Sequence, residues 1–142
     1  TNKAFSKMKL HDQIVLTPHP GEAADMLKVS TQEIQKDRIE SAKKLQKKYN
    51  CIIVLKGQGT IICSKKEMYL CASGGPELAV AGTGDILSGV IGSLIAQGLA
   101  PLDAAISGVG LHAQAGENFA TDVGRIGLAA SELIPQIRKL LN

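Results

Sequence analysis

The stretch Ala81-Gly82-Thr83-Gly84-Asp85 runs directly into an apolar segment over 86–97, and its reading decides the fold. Apolar residues recur at Ile86, Leu87, Val90, Ile91, Leu94 and Ile95, the spacing of a buried helix face. Ser88, Gly89, Gly92 and Ser93 leave small faces on which another helix can pack closely. Glycine just before a helix places flexible backbone beside unpaired N–H groups and the positive end of the helix dipole, a combination that binds anions. Gly82, Thr83 and Gly84 are therefore the expected anion hole. Beside a bound phosphate, the Asp85 carboxylate can accept a proton or hold a metal ion; its plain alternative is a helix cap. This corner points to phosphoryl transfer.

Working outward, Cys51–Leu55 is a continuous apolar run of the kind buried on both faces of a sheet. Lys56-Gly57-Gln58-Gly59 turns the chain, and 60–63 and 67–71, on either side of Ser64-Lys65-Lys66, read as a hairpin. Upstream, Ile14-Val15-Leu16 is a short strand closed by Thr17-Pro18-His19-Pro20-Gly21, whose prolines exclude helix before position 20. One helix is expected from about 20–22 to 28. A second opens with the capping box Ser30-Thr31-Gln32-Glu33 and runs to about 48, with Ile34, Ala42, Leu45 and Tyr49 on one face. Residues 72–84 read as a glycine-rich loop. Gly98 and Pro101 separate the 86–97 helix from one reaching about 120, and a last helix covers about 128–141.

Strands separated by helices predict an α/β layered domain with a mostly parallel sheet and three C-terminal helices. The first ten residues read as a charged, helix-like tail. Two parallel-type strands and one hairpin are little sheet for three helices rich in Ala and Gly. The expectation is that 1–142 form a single partial domain, the C-terminal half of a larger layered domain.

Composition narrows the function. The chain has 142 residues, 44% hydrophobic and 20% charged, with no Trp, two Tyr and two Phe, so aliphatic and small side chains must build the core. The net charge of +3 is uneven: residues 1–56 carry eleven Lys/Arg against six Asp/Glu, and residues 57–142 carry five against seven. Most of the positive charge lies over 36–48, which reads as a solvated helix face. Without aromatic side chains for base stacking it is not expected to bind nucleic acid. Cys51, Cys63 and Cys71 lack CxxC spacing and read as reduced thiols in apolar strands. With no bilayer-length apolar run and no signal-peptide pattern, the expectation is a cytoplasmic protein away from membranes.

His19, fixed between two prolines, is a candidate ligand contact, and Lys56 beside Gly57 and Gly59 a candidate phosphate or nucleotide contact. Glu22 reads as the first-turn acid of its helix, while His11, His112, Asp122 and Arg125 read as structural or loop residues. His112 falls on the small-residue stripe Ala105, Gly108, Ala115.

Three segments together resemble the ADP/ATP-dependent NAD(P)H-hydrate dehydratases of the ribokinase-like superfamily: Leu16-Thr17-Pro18-His19-Pro20-Gly21-Glu22, Val54-Leu55-Lys56-Gly57-Gln58-Gly59-Thr60, and the run from Gly75 to Gly89 that contains GTGD. The GTGD element alone occurs in many small-molecule kinases; with TPHPGE it is far more specific. The resemblance spans nearly the whole chain and the C-terminal half of the family's domain. It implies repair of hydrated NADH or NADPH, in which a nucleotide phosphate activates the added hydroxyl as a leaving group. It also implies ADP or ATP as phosphoryl donor, with Mg²⁺ bridging the nucleotide phosphates.

On this resemblance Asp85 is the general base at the substrate hydroxyl and His19 contacts the hydrated dinucleotide. Lys56, Gly57, Gln58, Gly59, Thr60 and Gly84 contact the AMP portion of the nucleotide, and N–H groups of Gly82, Thr83 and Gly84 stabilise the transferring phosphoryl. The family's habit implies a homo-oligomer, and the missing half implies a companion N-terminal segment. One departure stands out: the family commonly has Asn-Pro where this chain has Gly75-Pro76. A vitamin or sugar kinase of the same superfamily, and a non-catalytic subunit or fragment, remain the alternatives.

Overall fold

The computed structural model describes residues 10–142, so the helix-like reading of residues 1–9 lies outside the described residues. The described chain forms two compact units, one of residues 10–57 with 61–69 and one of residues 58–60 with 70–142.

The first unit carries the sheet. Strand β1 (Val15–Leu16) is followed by helices α1 (Pro20–Leu27), α2 (Thr31–Lys36) and α3 (Arg38–Tyr49), then by strands β2 (Ile52–Leu55), β3 (Thr60–Cys63) and β4 (Met68–Cys71). Strand order is β1-β2-β3-β4. β1 pairs parallel with β2 through Val15–Ile52 and Leu16–Ile53, whereas β2 pairs antiparallel with β3 through Ile53–Cys63, Val54–Ile62 and Leu55–Ile61. Every residue of β2 is buried, as its unbroken apolar run requires. Ser64 closes the hairpin: its N–H donates to the Glu67 carbonyl and its Oγ accepts from the N–H groups of Lys66 and Glu67. Ile34, Ala42, Leu45 and Tyr49, the face read from periodicity, all lie in this unit's core with Ile53 and Leu55.

The helix expected over 31–48 is broken in two. Asp37 adopts φ −147°, ψ 85°, outside helical geometry, and its carboxylate accepts the Glu40 N–H at 2.9 Å as the cap of α3. A short acidic side chain offers nearby backbone a competing partner, which is why Asp breaks helix interiors.

Cys51, Cys63 and Cys71 are free thiols; the first two are buried and the third is partly exposed. Burial pushes the Cys51 thiol up to about 11 from its ordinary 9.0. The folded chain thus keeps that proton after the unfolded chain has lost it, so unfolding is favoured as pH rises from 9 toward 11. Thermal midpoints should fall across that window and hold steady between pH 7 and 8.5, and at pH 8 a thiol reagent should label Cys71 before the other two.

The second unit is helical: a 3₁₀ turn at Pro76–Leu78, α4 (Thr83–Ala96), α5 (Pro101–Asp122), a 3₁₀ turn at Ala130–Glu132 and α6 (Leu133–Leu140). α4 begins three residues earlier than the apolar pattern indicates, so the glycine-rich motif is its first turn and not a preceding loop. The final segment, expected as one helix, is a 3₁₀ turn followed by a shorter α-helix. Phe119, Leu128, Leu133 and Ile137 are buried together, with Leu78, Ile86 and Val90 packed against them. α4 and α5 approach closely at Gly108, where a Cβ would lie 2.6 Å from Ile91 Cγ1. Among the described residues no helix is long and apolar enough to cross a membrane.

Candidate functional site

In the first unit the two motifs flanking β1 and β2 end side by side. The Lys56 N–H donates to the Pro18 carbonyl at 2.9 Å, one step past the ends of the paired strands. Parallel strands place ligand sites beyond their carboxyl ends, and the TPHPGE turn and the Lys56 turn both emerge there. His19 is the cap of α1: its Nδ1 accepts the Glu22 N–H at 3.1 Å, while Glu22 Oε2 accepts the His19 N–H at 2.7 Å. Because Nδ1 is an acceptor, the neutral imidazole carries its proton on Nε2, on a side chain that is exposed. Glu22 Oε2 also lies 3.8 Å from Lys56 Nζ and 3.6 Å from His19 Nε2. One carboxylate therefore gathers two of the predicted contact residues of this unit, His19 and Lys56.

The turn after Lys56 is held from α3. Arg38 Nη2 donates to the carbonyls of Leu55 and Lys56 at 3.2 and 3.3 Å, and partial burial lowers the guanidinium pKa. Gly57 has φ +141°, and a Cβ there would stand 2.9 Å from Arg38 Nη2. Both backbone conformation and space restrict this position to glycine.

In the second unit Gly82 is the N-cap of α4 with φ +89°, and Thr83, Gly84 and Asp85 form the first turn. Thr83 is anchored by its Oγ1, which faces the carbonyls of Leu78 at 2.8 Å and Val80 at 2.9 Å. The Thr83 N–H, one of the three expected anion donors, is engaged by Val80 O and the Asp85 N–H by Gly82 O, whereas the Gly84 N–H between them is open among the described residues. The exposed Asp85 carboxylate makes no hydrogen bond or ion pair among the described residues. The fold does not use it as the cap, since that place belongs to Gly82.

Glu77 occupies the position of the departure noted at Gly75-Pro76. Its side chain is 3% exposed, and its Oε1 accepts the Gly75 N–H at 2.8 Å. A Cβ on residue 75 would lie 2.5 Å from Glu77 Oε2, so the carboxylate fills the space a side chain at 75 would need. Next to it Glu117 Oε1 accepts the Gly74 N–H at 2.9 Å, and both carboxylates line a cavity of about 390 Å³ with Arg125. Gly75→Asn should expel the Glu77 carboxylate and lower stability by about 1–2 kcal/mol, because the Gly75 N–H loses its partner in a part-buried place. Adding Glu77→Gly should recover most of the loss in a urea unfolding series.

Sequence reading does not single out Arg38 in the first unit or Glu77 in the second, and it takes His112 only as structural. His112 is buried, and its Nε2 stands 2.9 Å from the Thr83 carbonyl. It does lie on the small-residue stripe, and that stripe is buried as read. No local signal links it to a turn 29 residues away in sequence.

Among the described residues no group of three or more His, Cys, Asp or Glu could hold a metal ion.

A sequence model described as NAD(P)H-hydrate dehydratase matches residues 1–139. The chain is 46% identical over 129 residues to the bifunctional NAD(P)H-hydrate repair enzyme Nnr of Coxiella burnetii, covering 90% of this chain and 26% of that protein. It is 40% identical over 131 residues to the ADP-dependent (S)-NAD(P)H-hydrate dehydratase of Neisseria meningitidis, covering 91% and 44%. The crystal structure of the ADP/ATP-dependent NAD(P)H-hydrate dehydratase from Bacillus subtilis, co-crystallised with ATP/Mg²⁺ and soaked with CoA, superposes with a TM-score of 0.85 at 34% identity, over 89% of this chain and 47% of that one. The chain thus spans from about a quarter to about a half of the proteins it matches. With its ribokinase-like fold and a family match over nearly its whole length, this chain belongs to the NAD(P)H-hydrate dehydratase family.

Proposed function

We propose that the protein carrying this chain restores hydrated NADH or NADPH by transferring a nucleotide phosphoryl group to the hydroxyl of the hydrated ring. The supporting observation is the first turn of α4: an open Gly84 N–H stands beside an Asp85 carboxylate that is unpaired among the described residues, in a chain of this family. Asp85 takes the hydroxyl proton, and the oxygen forms a bond to the terminal phosphorus of ADP or ATP as the bond to the nucleotide breaks. Phosphate then leaves the ring with its oxygen, and the ring loses a proton as its double bond re-forms. In the turn formed by Gly82, Thr83 and Gly84 the Thr83 N–H is held by Val80 O, so the open Gly84 N–H is the donor that offsets charge on the phosphoryl oxygens in flight. Mg²⁺, when bound on the nucleotide, neutralises phosphate charge.

Lys56, Gly57, Gln58, Gly59 and Thr60 are read as contacts of the AMP portion, as is Gly84, each from its own motif. His19 meets the dinucleotide through Nε2–H, since its Nδ1 is engaged in the cap of α1. The domain reading is that residues 1–142 are part of one ribokinase-like domain, which the match of 1–139 to one family model supports. We place the protein in the cytoplasm, consistent with its three free thiols, and as a homo-oligomer or with a companion N-terminal segment. The test is direct: full-length native protein with hydrated NADH, Mg²⁺ and either nucleotide should return the dihydronicotinamide absorbance. A hydrate that persists with both ADP and ATP overturns the reading.

A further inference from the structure

We propose that His112 is a positioning residue for the phosphoryl-binding turn, one that polarises the Thr83–Gly84 peptide and so strengthens the Gly84 N–H as a donor. This rests on the reading of Gly82–Gly84 as the anion hole. A carbonyl oxygen has no proton to give, so the 2.9 Å contact requires His112 Nε2 to carry the hydrogen and donate it to Thr83 O. The C=O and N–H of one peptide are a single resonance unit. Electron density drawn toward the Thr83 oxygen leaves the Gly84 N–H more positive, and hydrogen bonds in such a chain reinforce one another.

The turn is built so that this effect points outward. The Thr83 and Asp85 N–H groups are spent on Val80 O and Gly82 O, and the peptide that receives the imidazole is the one whose N–H stays open. Thr83 Oγ1, facing Leu78 O and Val80 O, holds the residue from its other side. The small-residue stripe explains the reach. Gly108 brings α5 close to Ile91 of α4, and His112, one turn further along α5, meets the start of α4 at its backbone. An apolar side chain of similar size would fill the same space but could not donate.

The experiment compares His112→Leu with His112→Gln in the full-length native protein; the Gln amide N–H has nearly the reach of imidazole Nε2–H. In H112L kcat should fall about tenfold while KM for hydrated NADH moves less than about twofold, a smaller loss than deletion of a direct oxyanion donor causes. In the free protein the Gly84 amide proton resonance, read by selective glycine labelling, should move upfield. H112Q should regain most of kcat and of the amide shift. Should H112L fail to fold, H112N, whose shorter amide falls short of Thr83, takes its place. Wild-type kcat in H112L, an equal fall in H112Q, or an unmoved Gly84 resonance each overturns the proposal. If the unaltered protein leaves hydrated NADH untouched with both nucleotides, the proposed function has failed instead, and the Gly84 resonance alone decides the role of His112.

Discussion

Replacing Asp85 with Asn lowers kcat about a thousandfold, within the range supplied by a positioned general base. Asparagine keeps the size of the side chain and removes the ability to accept the hydroxyl proton. The folded chain should notice little, because the carboxylate makes no bond among the described residues and the N-cap of α4 is Gly82. Thermal midpoint and assembly should therefore match the parent protein, while single-turnover measurements with hydrated NADH and ADP or ATP show the chemical step slowed by that factor. That separation of folding from activity sets the enzyme reading against a non-catalytic subunit. A kcat within tenfold of the parent would remove Asp85 from the role of base. Product analysis in the same assay distinguishes the superfamily alternative, since a simple kinase leaves a stable phosphate ester and no dihydronicotinamide.

Gly108→Leu should produce the largest loss of stability in the second unit, about 2–3 kcal/mol. A Cβ at 108 already lies 2.6 Å from Ile91 Cγ1 and 3.6 Å from Ile91 backbone atoms, and the rest of a leucine side chain has nowhere to go. Overpacking of this kind typically costs 1–3 kcal/mol, and the roughly 1 kcal/mol that leaving glycine adds to helix propensity only partly offsets it. Forcing α4 from α5 should also lengthen the His112–Thr83 contact, so activity falls along with stability. Gly110→Leu is the matched control: two residues further on the same helix, Gly110 is exposed and a Cβ there meets nothing within 4 Å. It should be neutral or slightly stabilising. Urea denaturation of the two variants side by side gives the comparison, and equal midpoints would mean that close helix packing is not what position 108 serves.

Much of the first unit was legible because its signals are short-range. The capping box at Ser30 depends on a partner three residues away, and Ala42, Leu45 and Tyr49 share a core because helical geometry alone puts them on one face of α3. The run Ile52–Leu55 is buried throughout for an equally local reason, since a strand covered on both sides needs an apolar residue at every position. Where sequence reading erred, a local competitor went unweighed. Asp37 split one expected helix into two, because a carboxylate close to backbone N–H groups can cap a new helix as readily as continue the old one.

By itself the sequence determined the order of the strands and main helices, most of the buried faces and the glycine-rich turn with its acid, together with the family to which those motifs belong. All of these follow from bonds and periodicities that span a few residues. Only the tertiary structure decided that Glu22 faces both His19 and Lys56, that Arg38 holds the carbonyls before Gly57, that Glu77 fills the space beside Gly75, and that His112 donates to Thr83. Apart from the local Glu77–Gly75 and Glu22–His19 pairs, these contacts join residues from separate elements. Which donor meets which acceptor there depends on how closely two backbones approach, and a side chain no larger than hydrogen at Gly108 governs that approach for His112.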